Sequence, residues 1–159
     1  YLATHSPNTL LLAAGGVADG RGIAAALMLG ADGVLMGSRL WATQESLAAP
    51  GAKALAVQTT GDGTARSEIF DILRRKNWPA PYDFRAIRNA LHREWEYHTD
   101  ELKANPVAAR HAYDGGVKDG DFNRAHATVG EAVGLITDIP SAGALLTNLH
   151  HQLEVLLSR

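Results

Sequence analysis

The chain has 159 residues, of which 46% are hydrophobic and 20% are charged, and its formal net charge is −2. This composition is typical of a globular domain with its own core rather than of a disordered segment. The charge provides no basic field for nucleic acid or for an anionic membrane, so neither is an expected partner. The chain contains no cysteine, which excludes disulfides, thiol nucleophiles and cysteine-ligated zinc and fits a reducing cytoplasm.

Two further observations concern targeting and the chain start. No stretch approaches the roughly 18 continuous apolar residues that a membrane span requires. The first seven residues, YLATHSP, lack the basic and apolar regions of a signal peptide. They also lack an initiator methionine and run straight into an apolar segment. We therefore expect Tyr1 to be an internal residue of a longer chain and the protein to be cytoplasmic.

The first forty residues predict a strand–helix–strand unit. Residues 9–14 (TLLLAA) form a short apolar run that is typical of a strand buried on both faces. Asp19 is a candidate N-cap for an Ala-rich helix over residues 21–29. A second apolar run, residues 33–36 (GVLM), predicts a strand parallel to the first. Residues 39–48 are then expected to form the next helix.

The remaining residues predict mostly helix. The polar segment 51–63 is expected to be irregular. Residues 84–102 carry apolar side chains at steps of three and four, which predicts one helix with an apolar stripe that includes His98. Residues 114–121 are glycine-rich and predict a loop. Pro140-Ser141 is expected to begin a final helix with leucines on one side.

Two glycine-containing turns carry the chemistry. Gly15-Gly16 follows the first predicted strand and Gly37-Ser38 follows the second, so parallel strands would place both turns at one edge of the sheet. Each turn precedes a predicted helix start, where free backbone N–H groups favour an anion. Glycine permits close approach to a phosphate, and a serine hydroxyl adds a donor. This arrangement predicts a phosphate site, whereas the spacing fits neither a Rossmann fingerprint nor a P-loop. Simple tight turns are the alternative.

The run AAGGVADGRGIAAALMLGADGVLMGSR, residues 13–39, resembles the nitronate monooxygenase (2-nitropropane dioxygenase) family of FMN enzymes. The resemblance continues in residues 43–46 (TQES), 64–66 (TAR), 78–82 (WPAPY), 88–89 (RN) and 129–140 (VGEAVGLITDIP). It covers most of this chain but only the C-terminal part of the family's sequence.

The resemblance implies a set of FMN-binding residues. Gly15 and Gly16 match the glycine pair whose amides hold the FMN phosphate. A second phosphate turn is implied at Met36, Gly37, Ser38 and Arg39, with serine where the family usually has threonine. Residues 130–134 match a glycine-rich stretch near the flavin, in which Glu131 replaces an expected neutral residue and receives no role. No metal site is expected, because adjacent helix residues such as His150 and His151 point apart.

The implied fold is α/β, the C-terminal part of a TIM-type (β/α)₈ barrel with a mainly helical extension. Residues 1–48 would supply the last barrel strands with the phosphate loops. Residues 49–128 would form the extension, and residues 129–159 would return to the barrel with the terminal helix. We expect the missing N-terminal half of the barrel, or a second copy in a homodimer, to pair with this chain.

The implied activity is FMN-dependent oxidation of alkyl nitronates or similar small carbanions by oxygen. The family's base is a histidine in a Gly-Gly-His segment, and none of the seven histidines here follows a glycine pair. We therefore expect the base upstream of Tyr1. Three alternatives stay open: a flavin-dependent enoyl carrier-protein reductase, a flavin-free barrel that binds a phosphorylated substrate, and a non-catalytic half-barrel that acts as a binding module.

Overall fold

The computed structural model describes residues 2–6 and 8–158. The expectation that Tyr1 is an internal residue of a longer chain concerns a residue outside this range. Helices predominate, with two small sheets. In chain order the elements are α1 (Leu2–His5), β1 (Leu12–Ala14), α2 (Gly20–Met28), β2 (Gly33–Leu35), α3 (Ser38–Trp41), α4 (Pro50–Gln58), a 3₁₀ turn (Gly61–Gly63), β3 (Thr64–Ser67), α5 (Ile69–Leu73), β4 (Phe84–Ile87), α6 (Ala90–Trp95), α7 (Thr99–Ala104), α8 (Val107–Asp119), a 3₁₀ turn (Glu131–Leu135) and α9 (Ala142–Leu157).

The predicted strand–helix–strand unit is confirmed. Strands β1 and β2 pair in parallel with Ala14 opposite Leu35 at the end of the ladder. Helix α2 connects them, and the Asp19 side chain caps it by accepting a hydrogen bond from the Gly22 N–H. The prediction that the first strand is buried on both faces is wrong for this chain, because Leu12 is 57% exposed. A sheet of two strands leaves its edges and one face without cover from the described residues.

The helix expected over residues 39–48 ends early, at Trp41. The physical reason is Lys53, a buried residue of α4. Its ammonium donates to the carbonyls of Thr43 at 2.8 Å, Gln44 at 3.3 Å and Ser46 at 3.2 Å. The carbonyls of a continuing helix lie parallel to its axis, whereas these three converge on one cation, so the segment cannot be regular helix. The segment that follows α3 is therefore a turn wrapped around Lys53.

Helix α4 lies where residues 51–63 were expected to be irregular. Pro50 occupies its first turn, the position where proline costs no hydrogen bond. Ala52 and Ala56 are buried in a cluster with Ile87 and Val133. Packing of this alanine face stabilises a helix whose sequence carries little amphipathic signal.

The single helix predicted over residues 84–102 is wrong. Residues 84–87 form β4, which pairs antiparallel with β3 so that Thr64 lies opposite Ile87. Asn89 then caps a separate short helix by accepting a hydrogen bond from the His92 N–H. His98 is not on a buried stripe; its side chain is 56% exposed and its Nδ1 lies 3.2 Å from a Glu101 oxygen. Strand pairing between residues 17 to 23 positions apart therefore overrides the helical spacing.

The loop predicted over residues 114–121 is also wrong, because α8 runs through Asp119. Gly116 lies inside this helix, where a Cβ would come within 2.6 Å of the Arg124 Cβ. Glycine is thus required at position 116 so that the segment around Arg124 can pack closely against α8, and not because the chain turns there. Gly120, with φ of 68°, ends the helix in the left-handed conformation.

The largest core cluster lies in the region of β3, β4 and α5–α8. Its fully buried members are Ile69, Phe70, Leu73 and Leu102. The terminal helix was predicted correctly: α9 begins after Ser141, whose hydroxyl caps it, and it packs along α2. Among the described residues, none of the helices is both long and apolar enough to cross a membrane.

Candidate functional site

The register of the parallel sheet brings the two predicted turns together. Ala14 and Leu35 are the last paired residues of β1 and β2. Gly15-Gly16 and Met36-Gly37 are the next residues on each chain segment, so both turns leave the same edge of the sheet. The juxtaposition that the sequence predicted is therefore present.

The first turn consists of two successive glycines in the left-handed region. Gly15 has φ of 91° and Gly16 has φ of 74°, values that residues with a Cβ rarely adopt. Both are exposed, and a Cβ added at either would meet no non-neighbouring atom within 4 Å. Consecutive N–H groups in such turns form anion-binding concavities. The space around this turn is open to solvent in the described residues.

The second turn presents an open glycine and a hydroxyl. Gly37 is exposed, and the position of its missing Cβ is also free of other atoms within 4 Å. The Ser38 Oγ accepts a hydrogen bond of 2.7 Å from the Gly130 N–H. Since that bond uses an oxygen lone pair, the Ser38 hydroxyl hydrogen stays available for an anion. The glycine-rich stretch 130–134 is thereby brought to the turn, as the sequence suggested.

Arg39, a predicted cofactor residue, is held by a different partner. Its guanidinium is buried, and Nη2 lies 2.5 Å from the Asp138 carboxylate while Nη1 donates to the Asp138 carbonyl at 3.1 Å. This fork ties the segment that precedes α9 to the start of α3. Any contact of Arg39 with a phosphate would therefore come from its backbone rather than from its guanidinium.

A helix start follows each turn, as predicted, but the N–H groups at the start of α2 are not free to receive an anion. Burial alone would raise the pKa of Asp19, but hydrogen bonds from Arg21 and from the Gly22 N–H lower it. The Asp19 carboxylate thus already occupies this helix terminus. The Gly20 N–H donates to the Gln152 Oε1 at 2.8 Å. Phosphate donors at the first turn must come from Gly15-Gly16 itself.

Lys53 and Asp138 are structural supports of the site that sequence reasoning missed. Lys53 fixes the segment that follows α3, and Asp138 fixes Arg39. The sequence shows Lys53 as a single cation in an alanine-rich segment. That pattern indicates that the lysine is buried only if the segment is already known to be a helix packed on its alanine face. Asp138 gave no local signal, because its partner lies 99 positions away.

Two histidines, His92 and His126, pack beside the largest core cluster. His126 is half-buried against Phe70 and Phe84, and its Nδ1 lies 2.7 Å from the Tyr113 hydroxyl oxygen. Burial, with Arg74 nearby, lowers the pKa of His126 to about 4. His92 is fully buried, and neither of its ring nitrogens has a hydrogen-bond partner among the described residues. These side chains pack the core and offer no base at the glycine turns.

Comparison with known proteins places these features in a family. The sequence profile of nitronate monooxygenase matches residues 8–152. The chain is 34% identical over 157 residues to nitronate monooxygenase npaC of Metarhizium robertsii, covering 93% of this chain and 42% of that protein. It is 35% identical over 148 residues to a nitronate monooxygenase of Neurospora crassa, covering 90% and 37% of the two chains. The chain thus spans less than half the length of these curated relatives.

Solved structures share the fold. FabK from Thermotoga maritima superposes with a TM-score of 0.73 at 28% identity, over 95% of this chain and 46% of that chain. A nitroalkane oxidase from Streptomyces ansochromogenes also gives 0.73, at 24% identity, over 95% and 41% of the chains. The profile covers most of the chain and the predicted resemblance is confirmed, so the chain belongs to the nitronate monooxygenase family, a family of oxidoreductases.

Proposed function

We propose that the two glycine turns hold the phosphate of FMN in an enzyme that oxidises alkyl nitronates or similar small carbanions with oxygen. The observation that carries the proposal is the pairing of β1 with β2, which sets Gly15-Gly16 beside Gly37-Ser38 at one sheet edge. Both turns are exposed and open, as a phosphate requires. Membership in the nitronate monooxygenase family supports the activity.

The chain's own contribution would be binding and orientation. The left-handed glycines offer backbone N–H donors, and Ser38 offers a hydroxyl donor while Gly130 fixes its oxygen. Bound flavin would supply the electron transfer between substrate and oxygen. We place the acid–base residue in a segment of the enzyme that these 159 residues do not include.

The proposed architecture is the C-terminal part of a TIM-type barrel. Large apolar side chains on and around the β1–α2–β2 unit are exposed, Leu12, Met28 and Leu35 among them. Further polypeptide, either the rest of the barrel or a second copy, would cover them. The division into residues 1–48, 49–128 and 129–159 stays a prediction. If the 159 residues alone unfolded cooperatively as a monomer, the partial-barrel proposal would be wrong.

The test of the phosphate site is Gly37→Val in the intact protein. The backbone of Gly37 has φ of −91°, which valine can adopt, and its Cβ would meet no atom within 4 Å. The fold should therefore persist while the new side chain occupies the phosphate space. We expect the affinity for FMN to fall at least about tenfold, which corresponds to roughly 1.4 kcal/mol of binding free energy, and the flavin content of the purified protein to fall with it.

The matched control is Gly143→Val in α9, another exposed glycine with nothing near the position of its Cβ. It should leave both flavin content and circular dichroism unchanged. Normal flavin content in Gly37→Val would refute the assignment of the second turn. Loss of the fold in Gly37→Val alone would show that the turn is structural.

A second candidate is a flavin-dependent enoyl carrier-protein reductase, which the structural similarity to FabK favours. The two candidates differ in their redox partner rather than in the phosphate site. Flavin reduction by NAD(P)H without nitronate would support the reductase. Nitronate-dependent oxygen consumption would support the oxidase chemistry.

A further inference from the structure

A second polar cleft lies in the extension, away from the glycine turns. It is formed by α5, the segment 74–83, α7 and α8, and its volume is about 460 Å³. That volume is within the range of pockets that hold small organic ligands. None of the residues at the two turns lines it. The proposed FMN site therefore does not account for this cleft.

The charges of this cleft favour an anion. The lining holds two carboxylates: Glu68 pairs with Lys103 at 2.6 Å, and the Asp71 Oδ1 accepts the Trp78 indole N–H at 3.1 Å while its buried Oδ2 has no hydrogen-bond partner among the described residues. Burial raises the pKa of the Asp71 carboxyl. Four cations, Arg75, Lys76, Lys103 and Arg110, line the same cleft.

Two cations of the lining remain without a carboxylate. Within the part of the chain that the structure describes, Lys76 makes no ion pair. Arg110 makes none either, although its Nε and Nη2 donate to the Ile72 carbonyl at 3.1 and 3.0 Å. These bonds fix the guanidinium at the cleft and leave Nη1 free to donate. Both of these cations of the lining therefore stay available to an anion.

Two exposed aromatic rings line the same cleft. Trp78 is 57% exposed and Tyr82 is 66% exposed, unusual values for such large rings. The indole is held in place by its bond to Asp71, and the Tyr82 N–H donates to the Pro79 carbonyl at 3.0 Å. The side-chain bond orients the indole, the backbone bond fixes the turn that carries Tyr82, and both rings stay accessible to a planar group. Aromatic faces beside free cations are the chemistry that binds bases joined to phosphates.

We propose that this cleft binds a phosphate monoester that carries an aromatic ring, such as a nucleoside monophosphate. The phosphate lies against Lys76 and the Arg110 guanidinium. The ring lies against Trp78 and Tyr82. A phosphate monoester carries a charge of about −1.5 to −2 at pH 7, which matches two unpaired cations.

The test is calorimetric titration of the FMN-saturated intact protein with adenosine 5′-monophosphate (AMP). Bound FMN keeps the probe from the glycine turns. Free FMN is removed before the titration, because FMN is itself a phosphate monoester with an aromatic ring and would compete for the cleft. We expect saturable binding of AMP, with adenosine and inorganic phosphate each at least about tenfold weaker, since each supplies one of the two contacts. Absence of saturable AMP binding at millimolar concentration would overturn the proposal. Inorganic phosphate that bound as tightly as AMP would overturn the aromatic contact.

Matched variants localise the binding. Lys76→Gln should weaken AMP about fivefold or more, whereas Lys118→Gln, an exposed lysine of α8 outside the cleft, should not. Tyr82→Ala should weaken AMP by a similar or larger factor, whereas Tyr97→Ala, at a tyrosine that is 85% exposed, should not. All four side chains are exposed, so the fold should tolerate each change. AMP binding that neither cleft variant weakens would place the ligand elsewhere and refute the assignment.

Discussion

Replacement of Lys53 by methionine tests how the segment behind the second glycine turn is held. Methionine keeps most of the side-chain volume but removes three hydrogen bonds from the ammonium to residues 43, 44 and 46. The Thr43 carbonyl loses a buried partner, which costs about 1–3 kcal/mol, whereas water can replace the other two bonds at about 0.5–1 kcal/mol each. Relief from burying an ammonium without a carboxylate offsets part of this loss. We expect the free energy of unfolding to fall by about 2–3 kcal/mol.

The assay is urea denaturation of the intact protein with Lys118→Met as the control. Lys118 is exposed and forms no ion pair with another described residue, so its replacement should change stability by less than about 0.5 kcal/mol. We also expect Lys53→Met to weaken FMN, because α3 and the turn before it lose their support. Equal stability of the two variants would refute the view that Lys53 organises this segment.

Two further predictions concern buried charge. Asp138→Ala should destabilise the protein by about 2–3 kcal/mol, because it leaves the buried Arg39 guanidinium without its carboxylate. Arg39→Met should cost only about 1 kcal/mol, because the Asp138 carboxylate that it leaves unpaired is 64% exposed. Equal losses of stability in thermal unfolding of the two variants would contradict this asymmetry. His126 has a pKa of about 4 in the folded protein against an ordinary value of 6.5, so its stabilising contribution is complete above pH 6.5 and is lost as the pH falls toward 4. That gap corresponds to at most about 3 kcal/mol, and partial exposure of the ring reduces the expected loss to about 1–2 kcal/mol. Denaturation at several pH values should show this loss in the wild type, and a His126→Phe variant with an equally steep pH dependence would disprove the assignment.

The glycine turns could be predicted from sequence because their determinants are local. An apolar run followed by Gly15-Gly16, and then a second run followed by Gly37-Ser38, specifies two strands and the edge at which they end. The Asp19 cap is equally local, since its acceptor reaches only three positions along the chain. The predicted cap already implies that Asp19 occupies one amide at the start of α2. What the sequence could not indicate is that the distant Gln152 occupies another.

The errors lie where distant contacts decide between local alternatives. The spacing of Phe84, Ile87 and Leu91 fits a helix, yet pairing of Phe84 with Ser67 places the first two in a strand. Asn89 could have indicated the break, because asparagine is a preferred N-cap residue and so marks the start of a new helix within the apparently continuous helical pattern of residues 84–102. Gly116 has a low helix propensity but is needed inside α8 for the close approach of Arg124. In each case a partner remote in sequence determines the local conformation.

The contact between α2 and α9 has a consequence for biosynthesis. Gly20 and Gln152 are 132 positions apart, and a Cβ at Gly20 would collide with the Gln152 side chain. At about 5–20 residues per second, a ribosome makes Gln152 roughly 7–26 s after Gly20. During that interval the β1–α2–β2 unit is without the helix that packs on α2, and its exposed leucines are available to chaperones. Both glycine turns therefore reach their final support only after α9 has been made, and a truncation that removes α9 would leave them on an unsupported unit.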